Sequence, residues 1–139
     1  MKINDKKLVV VLKEGLEIGR AMNALSHAML GFGSGVISKE DAILNKYEDA
    51  DGNLHENISE RAIVVLRAGA KKIRSIKNEA KDAGIQFIDF VDTMSLGTYE
   101  EEYKITKTKQ DDKLDYWALI LFGETEKINE LTGKLSLYK

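Results

Sequence analysis

The sequence predicts an α/β layered domain in which helices cover both faces of a central mixed, largely parallel β-sheet, three layers in all, with residues 1–139 forming one unit. Three observations predict it. Leu8-Val9-Val10-Val11-Leu12, Ala62-Ile63-Val64-Val65-Leu66 and Tyr116-Trp117-Ala118-Leu119-Ile120-Leu121-Phe122 are unbroken apolar runs without polar alternation, the pattern of strands buried on both sides. Stretches of helical periodicity lie between and after them. Strand and helix patterns alternate along the chain, as in layered α/β domains.

Each element follows in order. After the first strand, residues 13–17 with Gly15 turn the chain. Residues 18–30 then read as a helix, with Ile18, Met22, Leu25 and Met29 on one apolar face and Ala21 and Ala28 beside it. Gly31 is placed as its terminator and 31–35 as a Gly-rich loop. Between positions 36 and 60 the clearest signal is Asp49-Ala50-Asp51-Gly52-Asn53, an Asp-Gly turn between two short arms. A calcium loop is the sharper reading of those residues, but it requires ligands through a twelfth position that are present only in fragments. The second strand, 62–66, leads into a helix over 70–83 with Ile73, Ile76, Ala80 and Ala83 inward and Gly84 as its stop. Residues 85–91 form a third strand and 99–115 a charged stretch with a short solvated helix. The fourth strand, 116–122, stops at Gly123, a helix spans 124–133, and Leu135 to Tyr138 form an edge strand.

Composition narrows the function classes. With 43% apolar and 32% charged residues the chain can bury a core, and disorder is excluded. The absence of cysteine excludes disulfides, zinc–thiolate sites and a cysteine nucleophile. Two histidines cannot build a histidine-rich metal site, and neither metal nor cofactor is expected. No apolar run approaches the roughly 20 residues needed to span a bilayer. The first residues lack a signal-peptide pattern, so a cytoplasmic location and no membrane partner are expected. Twenty-one basic against 23 acidic residues disfavour a whole-surface polyanion binder while leaving room for a local basic patch.

Three places carry candidate chemistry. On the first helix Arg20, Asn23 and His27 fall on one stripe with the small residues Ala24 and Gly31 alongside. A cation, an amide and an imidazole flanked by small side chains leave room for a ligand. The same stripe also fits a solvated helix face, although such faces usually carry Lys and Glu. Asp92-Thr93-Met94-Ser95-Leu96-Gly97-Thr98 follows the third strand, where ligands collect in open α/β sheets. There Asp92 is a candidate base or orienting carboxylate and Thr93 or Thr98 a hydroxyl donor, with capping as the alternative role for Asp92. Residues 67–82 hold six cations against two acids, and Lys71, Lys72 and Arg74 are candidate phosphate contacts or, alternatively, part of a solvated face. No aromatic residue interleaves them, so base stacking is unsupported.

These residues bring a family resemblance. Lys7 to Leu12 followed by Gly19-Arg20-Ala21-Met22-Asn23-Ala24-Leu25-Ser26-His27-Ala28-Met29-Leu30-Gly31 resembles the opening strand and helix of the type 2 peptidyl-tRNA hydrolases. Ala80-Lys81-Asp82-Ala83-Gly84-Ile85, Asp92, Gly97-Thr98 and the tail Ile128 to Leu137 resemble later motifs of that family, so the similarity runs from end to end with gaps. The Asp49–Asn53 turn and the 116–123 strand look more like a neighbouring branch known as a domain of unknown function. The resemblance implies a peptidyl-tRNA hydrolase 2-like fold and metal-independent cleavage of the ester joining peptide to tRNA. It implies catalytic roles for His27, Asp92, Thr98 and Arg20, with tRNA as partner. A small anionic ligand is the partner if the pocket has been repurposed as a non-catalytic regulatory module, and a homodimer is expected by analogy. Arg20 stands where the family has lysine; it keeps the charge but cannot act as a base. Ala24 replaces a glutamine, with Asn23 next to it, and the 99–115 stretch is inserted after Thr98.

Overall fold

A computed structural model describes residues 5–139; the N-terminal positions 1–4 lie outside the described residues. The first apolar run forms β1 (Lys6–Lys13), which sits at the centre of a five-stranded sheet. Along it Val9 and Val11 face one core, and Leu8, Val10 and Leu12 face the other. Such two-sided burial explains why the run shows no polar alternation. Next come α1 (Ile18–Gly35), the short α2 (Lys39–Ala42), and an antiparallel hairpin of β2 (Leu44–Glu48) and β3 (Leu54–Ser59). The chain continues through β4 (Ile63–Ala68), α3 (Ala70–Asp82), β5 (Gln86–Val91), α4 (Tyr99–Lys107), β6 (Tyr116–Glu124), α5 (Thr125–Thr132) and the two-residue β7 (Ser136–Leu137).

The sheet order is β5-β6-β1-β4-β7. The fold is α/β with helices on both faces, as expected, but the sheet is not largely parallel. Only β1 and β4 pair in parallel; β1–β6, β5–β6 and β4–β7 are antiparallel. The reason lies in residues 92–115. Strand-to-strand alternation suggests a crossover there, yet the Asp92 N–H donates to the Asp115 carbonyl at 2.9 Å. The segment thus leaves and re-enters the sheet at the same end, and β6 runs back beside β5.

One core lies between the sheet and α3 plus α5, built on Ile73, Ile76, Ala80 and Ile128. α3 ends in a six-to-one bond from Ile85 N–H to the Ala80 carbonyl (2.9 Å), closed by Gly84 at φ 69°. The other core lies beneath α1, and here the expected helix face is corrected. The buried residues are Ala21, Ala24, Ala28 and Phe32, whereas Ile18 and Met22 are exposed and Leu25 and Met29 only half-buried. The core face is therefore rotated by roughly 80° from the expected one on a 100° wheel. Alanines allow the helix axis to lie close to Phe90, Ala118 and Ile120 of the sheet, which larger side chains would prevent.

The helix also continues through the predicted 31–35 loop. Phe32, 1% exposed, anchors the extra turn against Phe122. Its burial outweighs the roughly 1 kcal/mol that each helical glycine costs. Strand β6 likewise passes through Gly123 to Glu124 instead of stopping, and Ala83 is exposed beyond the end of α3. Replacing Ala24 by leucine should overpack the α1 contact and lower stability by about 1–3 kcal/mol, read as an earlier urea midpoint at unchanged slope.

Candidate functional site

The site lies where β1 and β5 end and β6 begins. At this edge the reciprocal pairing of Asp92 and Asp115 holds the backbone: Asp115 N–H donates to the Asp92 carboxylate at 3.0 Å, complementing the bond from Asp92 N–H. Asp115 then acts through its side chain. Its Oδ2 accepts from Lys13 Nζ at the end of β1 (2.8 Å) and from Trp117 Nε1 (3.1 Å), so strand β1, strand β6 and the indole are tied to one carboxylate.

Trp117 is buried and stacks on Phe90 at 6.0 Å between centroids, and Phe90 in turn faces the His27 ring at 6.0 Å. The Arg20 guanidinium stands over the Trp117 ring, 5.9 Å from its centroid. Because α1 seats its alanine face on the sheet, its Arg20–Asn23–His27 stripe falls along the flank nearest β5 and β6. Arg20 and Asn23 of the predicted stripe thus form a wall, while His27 lies beyond the lining. A cavity of about 390 Å³ is lined by Glu17, Gly19, Arg20 and Asn23 on the helix side, Trp117 on the sheet, and Ser95 and Leu96 on the segment after β5.

Three properties define this cavity chemically. Arg20 makes no salt bridge to any described residue, although a carboxylate, Glu17, shares the cavity wall. The N-terminus of α1 has no side-chain cap; Arg20 N–H and Ala21 N–H donate to the Glu17 carbonyl at 3.0 Å, which leaves the Ile18 and Gly19 N–H groups and the positive end of the helix dipole beside the same space. Asn23 adds an amide one turn further along. A cation, free amide hydrogens and a neutral amide above an aromatic floor form an anion-binding arrangement.

The other predicted residues divide. Asp92 follows β5 as expected, but one carboxylate oxygen accepts from Asp115 N–H and the other lies 4.0 Å from Lys109 Nζ. Its visible role is the capping and bracing one. Thr98 caps α4, its hydroxyl oxygen accepting from Glu101 N–H at 3.4 Å. Thr93 is fully buried. Its hydroxyl meets that of Thr106 at 2.6 Å; since Thr106 donates to the Glu102 carbonyl, Thr93 is the donor to Thr106. It therefore ties α4 to the segment after β5 and does not reach the cavity. Lys71, Lys72 and Arg74 are on α3, across the sheet from α1, and do not converge with Arg20. Lys77 of the same basic run is occupied by Asp111 at 3.1 Å and by the Tyr116 ring.

The Asp49–Asn53 turn forms as expected between β2 and β3, with Gly52 at φ 83°. The Asp49 carboxylate accepts from Asp51 N–H, Asn53 N–H and the His55 ring, bonds that hold its carboxyl below the usual carboxylate range. Those lone pairs serve the turn. No group of three or more His, Asp or Glu side chains gathers as a metal cage among the described residues.

Sequence reasoning missed Trp117, Glu17, Gly19 and Leu96 as cavity residues. Trp117 is the sole tryptophan and was absorbed into an apolar strand. A lone indole at the beginning of such a strand, where its N–H needs a partner, was the available signal.

Residues 6–139 match a family described as a protein of unknown function (DUF2000), and the chain belongs to that family. A solved structure of a protein of unknown function from Agrobacterium tumefaciens has a similar fold: TM-score 0.83, 19% identity, covering 97% of this chain and 98% of that one. No curated protein matches in sequence. Among the described residues no helix is long and apolar enough to cross a membrane.

Behind the site, on the α3 face, lies a second polar group. Burial pushes the Asp89 carboxyl up, partly countered by Lys77. Tyr116 is pushed far up by burial and by its bond to Asp111. Burial alone would raise Asp111, but hydrogen bonds from Tyr116, Asn78 and Lys77 outweigh it and hold that carboxyl low. Because Asp89 keeps its proton to higher pH when folded, its contribution to stability is full below the ordinary carboxylate range and is lost as pH rises through its folded value. Asp89→Asn should therefore be more stable than wild type at neutral pH, and the gap should close below about pH 4, as read by urea melts across pH.

Proposed function

We propose that the cavity between α1 and Trp117 binds the anionic group, carboxylate or phosphate, of a small ligand. The observation that carries this reading is Arg20, a guanidinium with no acidic partner among the described residues, placed over an aromatic ring beside an uncapped helix N-terminus. An unpaired cation held in this position is stabilised most by a ligand that brings the opposite charge. Leu96 and the Trp117 edge then favour an apolar body next to that charge.

A second reading is ester or amide hydrolysis of the peptidyl-tRNA type. It is supported by the sequence resemblance and by the position of His27, one turn beyond Asn23 on the same flank and against Phe90. In that reaction His27 would activate water and Arg20 would hold a phosphate or the developing oxyanion. Asp92 would brace the site through Asp115, and Thr98 would position the substrate by fixing the start of α4. The bracing bonds of Asp92 and Thr98 favour binding over turnover as the first expectation. Lys71, Lys72 and Arg74 remain candidates for the tRNA backbone only if the nucleic acid wraps round the sheet edge.

The fluorescence of the single tryptophan tests the first reading. Titration with inorganic phosphate and with an N-blocked amino acid should give a saturable change with one of them, weakened at least about tenfold in Arg20→Gln. No saturable change with either probe, or an unchanged titration in Arg20→Gln, would overturn it. For the second reading, purified wild type is incubated with an N-blocked aminoacyl-tRNA beside His27→Ala. Turnover lost in the variant supports hydrolysis; turnover that survives removes His27 from the mechanism.

A further inference from the structure

The end of the sheet opposite the Arg20 cavity holds a second group of cations. Strands β1 and β4 run parallel and both begin there, with Leu8 level with Ile63. Lys6 and Lys13 mark the two ends of β1, which spans about 23 Å between the two places. A cavity of about 410 Å³ opens beside these strand starts. Its charged wall is Lys6, Lys7, Arg61 and Glu60, and it reaches the start of α5 at Thr125.

Arg61 is the residue that needs explaining. Its side chain is only 5% exposed, and its guanidinium lies 4.9 Å from the centroid of the Phe122 ring. A charge buried this far is costly unless it is fully paired and hydrogen-bonded. Here the pairing is incomplete. Nε donates to the Asp41 carbonyl and Nη1 to the Lys6 carbonyl at 3.4 Å. Nη2 makes no hydrogen bond to any described residue, and the Asp41 Oδ1 that faces it is 4.0 Å away. Among the described residues every fully buried side-chain nitrogen and oxygen has a partner, so Nη2 keeps its surface open to the cavity that Arg61 lines.

The neighbouring acids are already engaged. Both oxygens of Asp41 accept from Lys6 Nζ, at 3.3 and 3.1 Å. Glu60 turns its oxygens to the hairpin, accepting from Asn45 Nδ2 at 2.7 Å and from the Tyr47 hydroxyl at 3.2 Å. Lys7 Nζ meets only the neutral Asn129 Oδ1, at 2.8 Å. Three cations therefore line one cavity with donor capacity left over: two N–H bonds on Arg61 Nη2, one on Lys6 Nζ and two on Lys7 Nζ.

We propose that this cavity binds the phosphate group of a small phosphate monoester, held by Arg61, Lys6 and Lys7. A phosphate monoester brings three strong acceptor oxygens and a charge near −2 at neutral pH, which matches three cationic donors. A carboxylate brings two oxygens and a single charge. Arg61 supplies a fixed planar fork and the lysines supply point charges. The positive end of the α5 dipole lies at the same rim. The cavity is larger than a phosphate, and Ile43, Ala62 and Val64 give it an apolar wall for the organic body of the ester. No residue is shared with the Arg20 cavity, so the two assignments stand or fall separately.

Two-dimensional amide NMR of the isotope-labelled full chain locates the binding. The chain carries Arg20→Gln, and the probes are phenyl phosphate and benzoate at constant ionic strength. With phenyl phosphate the amide signals of residues 6, 7, 61 and 125 should shift and saturate with a dissociation constant below about 1 mM. Benzoate should bind at least about tenfold more weakly. Lys7→Gln, which gives up only the bond to Asn129, should weaken phenyl phosphate at least about fivefold, and Arg61→Lys should do so with the charge retained. Shifts confined to the signals of Asn23, Leu96 and Trp117 would overturn the proposal. So would saturation only above about 20 mM, the behaviour of an adventitious ion. Equal affinity for benzoate would overturn the phosphate assignment, and an unchanged titration in Lys7→Gln would overturn the three-cation site even if Arg61→Lys fails to fold.

Discussion

The reciprocal backbone bond between Asp92 and Asp115 is the constraint on which the site depends. Its two N–H donors are satisfied by each other's oxygens, one carbonyl and one carboxylate, and this closes residues 92–115 into an excursion from the end of the sheet. Antiparallel pairing of β6 with β5 follows from that closure. So does the placement of Trp117, because the Asp115 carboxylate that accepts from the indole also accepts from Lys13 on the central strand. The cavity floor is thereby referenced to β1, the central strand of the sheet.

Helix α1 does two different things because it meets the sheet on its smallest side chains. With Ala21, Ala24 and Ala28 inward, neither the polar stripe nor the apolar stripe is directed at the core; they emerge on opposite flanks. One flank borders Trp117 and supplies Arg20 and Asn23. The other borders β4 and is apolar without being covered. A helix seated on leucine and methionine would have buried the second flank and turned the polar stripe out to solvent, far from Trp117.

Much of this was legible in the amino-acid sequence. The buried strands declared themselves through unbroken apolar runs, and the helix read over 70–83 through its Ile73–Ile76–Ala80 stripe and Gly84, although Ala83, placed in that stripe, is exposed. Arg20, Asn23 and His27 were readable as one stripe because helical spacing alone groups them. Strand direction was not readable, since it depends on a backbone bond between residues 23 positions apart. Nor was the inward face of α1: methionine and leucine outrank alanine in hydrophobicity, but interaxial distance, a property of both packed surfaces, decided the matter. Thr93 and Thr98 have residue types suited to catalysis and capping alike, and only their partners, Thr106 and the Glu101 amide, separate the two.

The 92–115 excursion has an evolutionary consequence. Its ends are pinned to each other, so the sheet registers only the clasp and not the length of chain between. Closure entropy grows slowly with contour, by about 0.6 kcal/mol for each doubling of a flexible loop. Insertions or deletions between Asp92 and Asp115 can therefore rebuild the roof that Ser95 and Leu96 place over the cavity while leaving Trp117 and Arg20 where they are. In such a scaffold, ligand choice can drift through roof length on an unchanged floor.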